Sequence, residues 1–277
     1  MPKRDSTVRG REFGAGIRAA IESAGLTGRG ASQLAGWDPA KLSDLMNGKG
    51  GISEHDLIRL LGICRTPLEE SEHLVTMFRE AERSGWLQVH GERQPIMPRT
   101  IGEHEAVATE LLCWSMNLIP GALQLPDYMR ALIEANPNSP AEEADSRVTA
   151  RSARQQVLIQ RRCTMTFYIH EQALLLLVGG PEVMSDQLDH LMTMDKRPYI
   201  SCRIVPVSAG AHAGQAGSFT LMKFDKLDPV VFIDAENHGV FLDDKASAKA
   251  YTNILKSLDR TALDAEQSRE LIERIAL

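Results

Sequence analysis

Apolar positions along the first 85 or so residues recur at helical spacing in short runs, each broken by a turn signal. Phe13, Ile17, Ala20, Ile21 and Ala24 form one stripe, closed by Gly25. Thr27 opens a second short segment that ends at Gly36. Asp38-Pro39 then joins a good N-cap to a proline at the first helical position, where its missing N–H costs nothing. Leu42 and Leu45 supply the apolar face of this third helix, and Asn47-Gly48 stops it. A fourth helix starts at Ser53, with Asp56 in capping-box register and Leu57, Leu60 and Leu61 as its core positions. Thr66-Pro67-Leu68-Glu69 combines a cap, an N1 proline and the box glutamate, and predicts a fifth helix running to about Ser84. The pattern predicts an all-α N-terminal domain of five helices over residues 1–90.

Residues 86–100 carry Gly91, Pro95 and Pro98 and read as a junction, with the connector at 91–100. Beyond it the texture changes. Helices are predicted near 102–117 and 126–135, and another from the capping-box sequence Ser139-Pro140-Ala141-Glu142. Strand-like runs follow at 164–169, 200–207, 218–224 and 230–233. Between the first two, Gly180-Pro181 opens a helix through Met184, Leu188 and Leu191, and helices near 245–260 and 264–275 close the chain. Residues 101–277 are thus expected to form a mixed α/β (α+β) domain whose strand order the pattern leaves open.

Composition narrows the function. At 43% hydrophobic and 25% charged, the 277 residues are those of a globular protein. No run approaches the roughly 18 apolar residues of a membrane span, and the basic N-terminus lacks the apolar core of a secretory signal. Cys64, Cys113, Cys163 and Cys202 are far apart and form no C-x-x-C pair, so neither a zinc site nor a disulfide framework is expected, and the reducing cytoplasm is the expected compartment. The net charge of −6 is unevenly spread: residues 1–90 hold 12 basic and 12 acidic side chains, so the C-terminal part carries all of the excess. Lys3, Arg4, Arg9 and Arg11 crowd the N-terminus as a basic arm suited to phosphates.

The informative segment is Leu26–Gly48, LTGRGASQLAGWDPAKLSDLMNG. Two short helices joined through Gly36 match a helix-turn-helix, whose second helix enters the DNA major groove. By face, Ala31, Leu34, Leu42 and Leu45 should pack inward, with Trp37 covering the turn, while Ala40, Lys41, Ser43 and Asp44 should point outward. Lys41 suits guanine O6/N7 or a phosphate, Ala40 a thymine methyl, and Asp44 a cytosine amine. Arg29, Gln33 and Lys49 are expected phosphate contacts. One lysine and two aspartates are poor electrostatics for DNA, and a helical interaction module is the alternative reading of the same segment.

Further motifs extend the pattern: AERSGW, WSMNLIPGALQLPDYMRAL, RVTARSARQQVL, HEQALLLLVGGPEVMSDQLDHL, IVPVSAGAHAGQAGSFTLMKF and ALDAEQSRELIERIA. In this order, over residues 10–277, they resemble the actinobacterial XRE-type helix-turn-helix regulators that include WhiJ-like proteins. The resemblance implies a transcription factor with a C-terminal domain of unknown function, commonly encoded beside a small BldB-like partner protein. The chain departs from that group at Asp38-Pro39-Ala40-Lys41, where Ser-x-Ser-Lys is usual.

In the C-terminal part, Arg147, Arg151 and Arg154 share one helical face and suit an anionic ligand or acidic partner; pairing with Glu142, Glu143, Glu171 or Glu236 is the alternative. His212 lies in the small-residue loop SAGAHAGQAG, which lacks phosphate-binding glycine patterns and reads as a connecting loop with one candidate ligand contact. No catalytic motif, metal set or cofactor is found, and His170-Glu171 point to opposite faces of a strand. The expectation is a homodimeric, non-enzymatic regulator on an inverted-repeat operator in double-stranded DNA, its C-terminal domain binding a small partner protein or ligand. The alternative is an adaptor or antitoxin-like protein that sequesters a partner.

Overall fold

The computed structural model describes residues 7–80, 86–89, 99–236 and 238–276. The chain divides into two compact units, Met1–Trp86 and Leu87–Leu277.

Five helices make the first unit: α1 (Val8–Ser23), α2 (Gly28–Ala35), α3 (Pro39–Met46), α4 (Glu54–Cys64) and α5 (Leu68–Glu80). Helices this short are marginal alone, so they stand by burying one face together. Phe13, Ile17, Ile21, Leu42, Leu45, Leu57, Leu60, Leu61 and Leu74 form that shared core. The starts are fixed locally. Thr7, Thr27 and Asp38 each accept an amide hydrogen of the first turn, and Ser53 and Asp56 form a reciprocal capping box.

Several expectations for this unit need correction. Leu34 is 57% exposed. The inward stripe of α2 is Ala31, Ser32 and Ala35, and Leu34 lies about 100° round the helix from Ala35. Small residues there let α2 approach its neighbours closely, and the Ser32 hydroxyl is satisfied by the Arg29 carbonyl at 2.9 Å. The Thr66 hydroxyl does not cap α5; it is buried without a hydrogen bond among the described residues, while the Pro67 carbonyl accepts from Ser71. Arg9 and Arg11 belong to α1, with Arg9 buried, rather than to an arm; Lys3 and Arg4 lie outside the described residues, as do 81–85 at the expected end of α5.

The second unit contains β1 (Trp86–Val89), α6 (Arg99–Glu105), β2 (Glu110–Ser115), α7 (Pro126–Ala135), α8 (Ala144–Arg161), β3 (Thr164–His170), α9 (Gln172–Leu175), α10 (Pro181–Asp195), β4 (Ile200–Val205), β5 (Phe219–Lys223), β6 (Val230–Ala235), β7 (His238–Leu242), α11 (Lys245–Thr261) and α12 (Ala265–Ala276). The sheet runs β1-β7-β6-β5-β2-β3-β4. β2, β3 and β4 are parallel, with Trp114 beside Tyr168 and Ile169 beside Ile204. β5, β6 and β7 add antiparallel, with Trp114 opposite Phe219. This is the mixed α+β architecture expected.

Both faces are covered. Trp114, Tyr168, Phe219, Leu221 and Val231 pack with Leu255 and Leu258 of α11 on one face. Cys113, the neighbour of Trp114, points to the other face and toward Arg154 of α8. Burial holds the Cys113 thiol up at about 11. At the outer edge of β4, Ile204 is covered by Leu263, between α11 and α12, and by Ser268 of α12: Leu263 N–H donates to the Ile204 carbonyl at 2.8 Å, and Ile204 N–H donates to Ser268 Oγ at 3.0 Å.

The helix expected near 102–117 is instead α6 followed by strand β2. Ser139-Pro140-Ala141-Glu142 opens only a 3-10 turn at Ala141–Glu143 without a side-chain cap, and α8 starts at Ala144. Strand β7 is an element that the sequence pattern does not predict. β1 occupies the start of the expected junction, and the connector residues 91–98 lie outside the described residues.

Candidate nucleic-acid interface

The geometry of α2, the turn and α3 follows from local chemistry. Gly36 terminates α2 in the left-handed region, at φ 69° and ψ 33°. The turn is held by Trp37 N–H donating to the Ser32 carbonyl at 2.8 Å. Asp38 Oδ1 then accepts from Ala40 N–H at 2.7 Å, which starts α3 at Pro39. Leu42 and Leu45 are each 1% exposed and anchor the inner face. Gly14 of α1 sits against the far end of α3, where a Cβ would come within 2.3 Å of the Met46 carbonyl oxygen. Arg18 donates to that same oxygen at 3.2 Å, placing a cation at the helix C-terminus.

The outer face of α3 is Ala40, Ser43, Asp44 and Asn47, all exposed. Arg29 and Gln33 of α2 are exposed as well. Lys41 departs from the expected outward position. Its ammonium lies 3.1 Å from Asp56 Oδ2 and 4.6 Å from the centre of the Trp37 ring, so it is folded toward the start of α4 and the turn. Asp56 serves two masters with one oxygen, because Oδ2 also accepts from Ser53 N–H at 3.3 Å in the capping box. The hydrogen bond from Lys41, with that from Ser53, holds the Asp56 carboxyl below its ordinary range. Lys49 is likewise paired, 3.3 Å from Asp44. Spacing alone could not show the Lys41–Asp56 contact, since the partner belongs to another helix.

In the second unit, the three arginines of α8 diverge. Arg147 is buried and donates to Glu143 at 2.8 and 3.1 Å. Arg154 makes a two-pronged pair with Glu105, a residue not among the expected partners, and the pair lines a cavity of about 330 Å³ with Val157 and Leu158. Glu171 and Glu236 are engaged elsewhere, with Val207 N–H and with Asn136 and Asn138. Arg151 makes no hydrogen bond or ion pair among the described residues; burial, Arg154 and Arg147 lower its pKa, against the pull of Asp234.

His212 is not part of that arginine group. Its ring packs on Trp114, on the α11 side of the sheet, whereas Arg154 lies on the Cys113 side. What it meets is His170, at the end of β3, with ring centres 5.4 Å apart. The strand and loop are distant in sequence, and only the glycines of the loop hint that it is drawn in tightly.

A helix pair set by a left-handed glycine, with the second helix buried on its leucines and polar on its outer face, defines a helix-turn-helix protein carrying a second, α/β unit. Residues 12–74 match the family described as a helix-turn-helix domain, which supports DNA binding by the first unit. Residues 98–274 match a domain of unknown function, DUF5753; this covers more than half of the chain, and the chain belongs to that family. No curated protein matches it. A solved structure of an archaeal chromatin protein, TrmBL2, which shows a novel mode of DNA binding, is similar over 86% of this chain and 88% of that one, with 10% identity and a TM-score of 0.32. So loose a likeness carries nothing over to this chain.

Proposed function

We propose that the protein is a sequence-specific transcriptional regulator that docks α3 in the DNA major groove. The observation that carries this is the division of α3 itself: Leu42 and Leu45 buried, with Ala40, Ser43, Asp44 and Asn47 left to solvent on a rigidly capped helix. Ala40, Ser43 and Asp44 read base edges, and Arg29, Gln33, Lys41 and Lys49 contact phosphates. Lys41 reaches a phosphate by leaving Asp56. The chain acts as a homodimer on an inverted repeat in the cytoplasm, and the second unit dimerises and binds a small partner protein or ligand without catalysing a reaction. The likeness of the whole chain to WhiJ-like XRE-type regulators supports the regulatory role, and a BldB-like protein is the partner that likeness suggests. Genome-wide mapping of bound sites tests it: one inverted repeat with half-sites about 34 Å apart is expected, and footprints of isolated half-sites only would refute it.

The pairing of both lysines with carboxylates favours a second reading, in which the protein mainly sequesters a partner. Recovery of a tight complex with the product of a neighbouring gene, with no bound chromosomal site, would establish that reading and remove the first.

A further inference from the structure

The carboxyl ends of β2, β3 and β4 lie side by side at one end of the parallel half of the sheet, the end at which open α/β sheets gather ligands. The segment after β4 folds back onto this end and is pinned at three points. Val207 N–H donates to Glu171 at 2.7 Å, Trp114 Nε1–H donates to the Gly214 carbonyl at 2.8 Å, and Met116 N–H donates to Ser218 Oγ at 3.0 Å. Gly214 is pressed so closely on Trp114 that a Cβ there would lie 2.5 Å from the indole. The small residues of this loop therefore serve an approach that bulkier ones would block.

This fold-back assembles three rings. His212 lies 5.2 Å from Trp114, and His170 lies 6.2 Å from Trp114, edge-on, and 5.4 Å from His212. Each imidazole has its Nδ1 turned to a backbone donor two residues on: Gln172 N–H to His170 at 3.3 Å, and Gly214 N–H to His212 at 3.1 Å. A neutral imidazole that accepts at Nδ1 carries its proton at Nε2. Among the described residues neither Nε2 has a protein partner. Burial and the neighbouring His212 keep His170 below the ordinary imidazole pKa. Exposed apolar side chains stand on the flanking segments, Val207 after β4 and Leu175 in the helix that follows His170.

We propose that His170 and His212 form a site for a small organic acid, their two Nε2–H groups holding its carboxylate and Val207 and Leu175 meeting its hydrocarbon part. Donors on two rings whose centres lie 5.4 Å apart suit an acceptor with two oxygens. A metal ion would need the reverse tautomer, with the lone pair at Nε2 and the proton at Nδ1 directed to an acceptor. The site deepens the proposed ligand role of the second unit without depending on DNA binding, so its test uses no DNA and its failure leaves the major-groove reading standing.

The experiment titrates the full chain with acetate, hexanoate, octanoate and the alcohols hexanol and octanol, following the histidine ring ¹⁵N–¹H signals and, separately, calorimetry. Saturable shifts at the Nε2 signals of His170 and His212 with hexanoate or octanoate are expected, with the alcohols much weaker. Each of His170→Ala and His212→Ala should weaken octanoate by roughly tenfold or more, the loss of one charge-assisted hydrogen bond. His212→Ala lies on a loop, and a retained melting temperature shows that the variant is folded. Octanol binding as well as octanoate, unchanged affinity in folded His212→Ala, or no shift at either ring overturns the site. Zinc titration that moves the same Nε2 signals at stoichiometric ratio overturns it in favour of a metal.

Discussion

The ammonium of Lys41 shares Asp56 Oδ2 with the amide of Ser53, so one oxygen both ties down a cation of α3 and starts α4. Asp56→Asn keeps an acceptor for the cap and removes the charge that restrains Lys41. An ion pair this exposed is worth about 0.2–1 kcal/mol. DNA affinity should therefore rise roughly 1.5- to 5-fold in low salt, with a salt slope steeper by about one. Titration by fluorescence anisotropy at several salt concentrations measures both. A fall in affinity would mean that Asp56 aims Lys41 at the DNA and does not withhold it.

Leu45 and Leu34 look alike in the sequence and differ in burial, at 1% and 57% exposed. Leu45→Ala should cost about 2–5 kcal/mol of stability and abolish DNA binding. Leu34→Ala should stay within about 0.5 kcal/mol. Amide exchange along α3 in the full chain, with increasing urea, separates the two outcomes.

Gly14→Ala places a methyl on the Met46 carbonyl, backbone against backbone. Relief requires α1 and α3 to move apart, at a cost of about 1–3 kcal/mol. A melting temperature within error of the wild type would show that the two helices are less closely joined than described.

Arg154 and Arg151 are neighbours on α8 with opposite consequences. Arg154→Ala leaves the buried Glu105 without its ion-pair partner, and should cost about 3–5 kcal/mol. Arg151→Ala removes a guanidinium that burial and two like charges already disfavour, so it should be neutral or slightly stabilising. Parallel denaturation curves decide.

His170 is held below its ordinary pKa of 6.5 by burial and by His212, with Glu171 opposing. The unfolded chain thus binds this proton more readily than the folded one. Its contribution to stability is complete above pH 6.5 and declines as the pH falls through the lowered folded value. His170→Gln should flatten that part of the stability–pH curve.

Much of the first unit was legible because helix caps act within three residues: Thr27, Asp38 and Ser53 each start the helix they announce. Leu34 misled because apolar character marks the inner stripe only where the packing has room for a large side chain. β2 reads as helix in the sequence because it is buried on both faces, Leu111 and Trp114 alike, so the polar–apolar alternation of a half-exposed strand is missing. The pairing of His170 with His212 depends on a fold-back after β4 that no local spacing encodes.

The seal that Leu263 and Ser268 place along β4 has a reach beyond the single chain. With both backbone groups of Ile204 already engaged, a foreign strand finds the ladder interrupted there, so the molecule is guarded at that point against runaway stacking. Self-association is then better served by side chains and helices, or by the opposite border of the sheet.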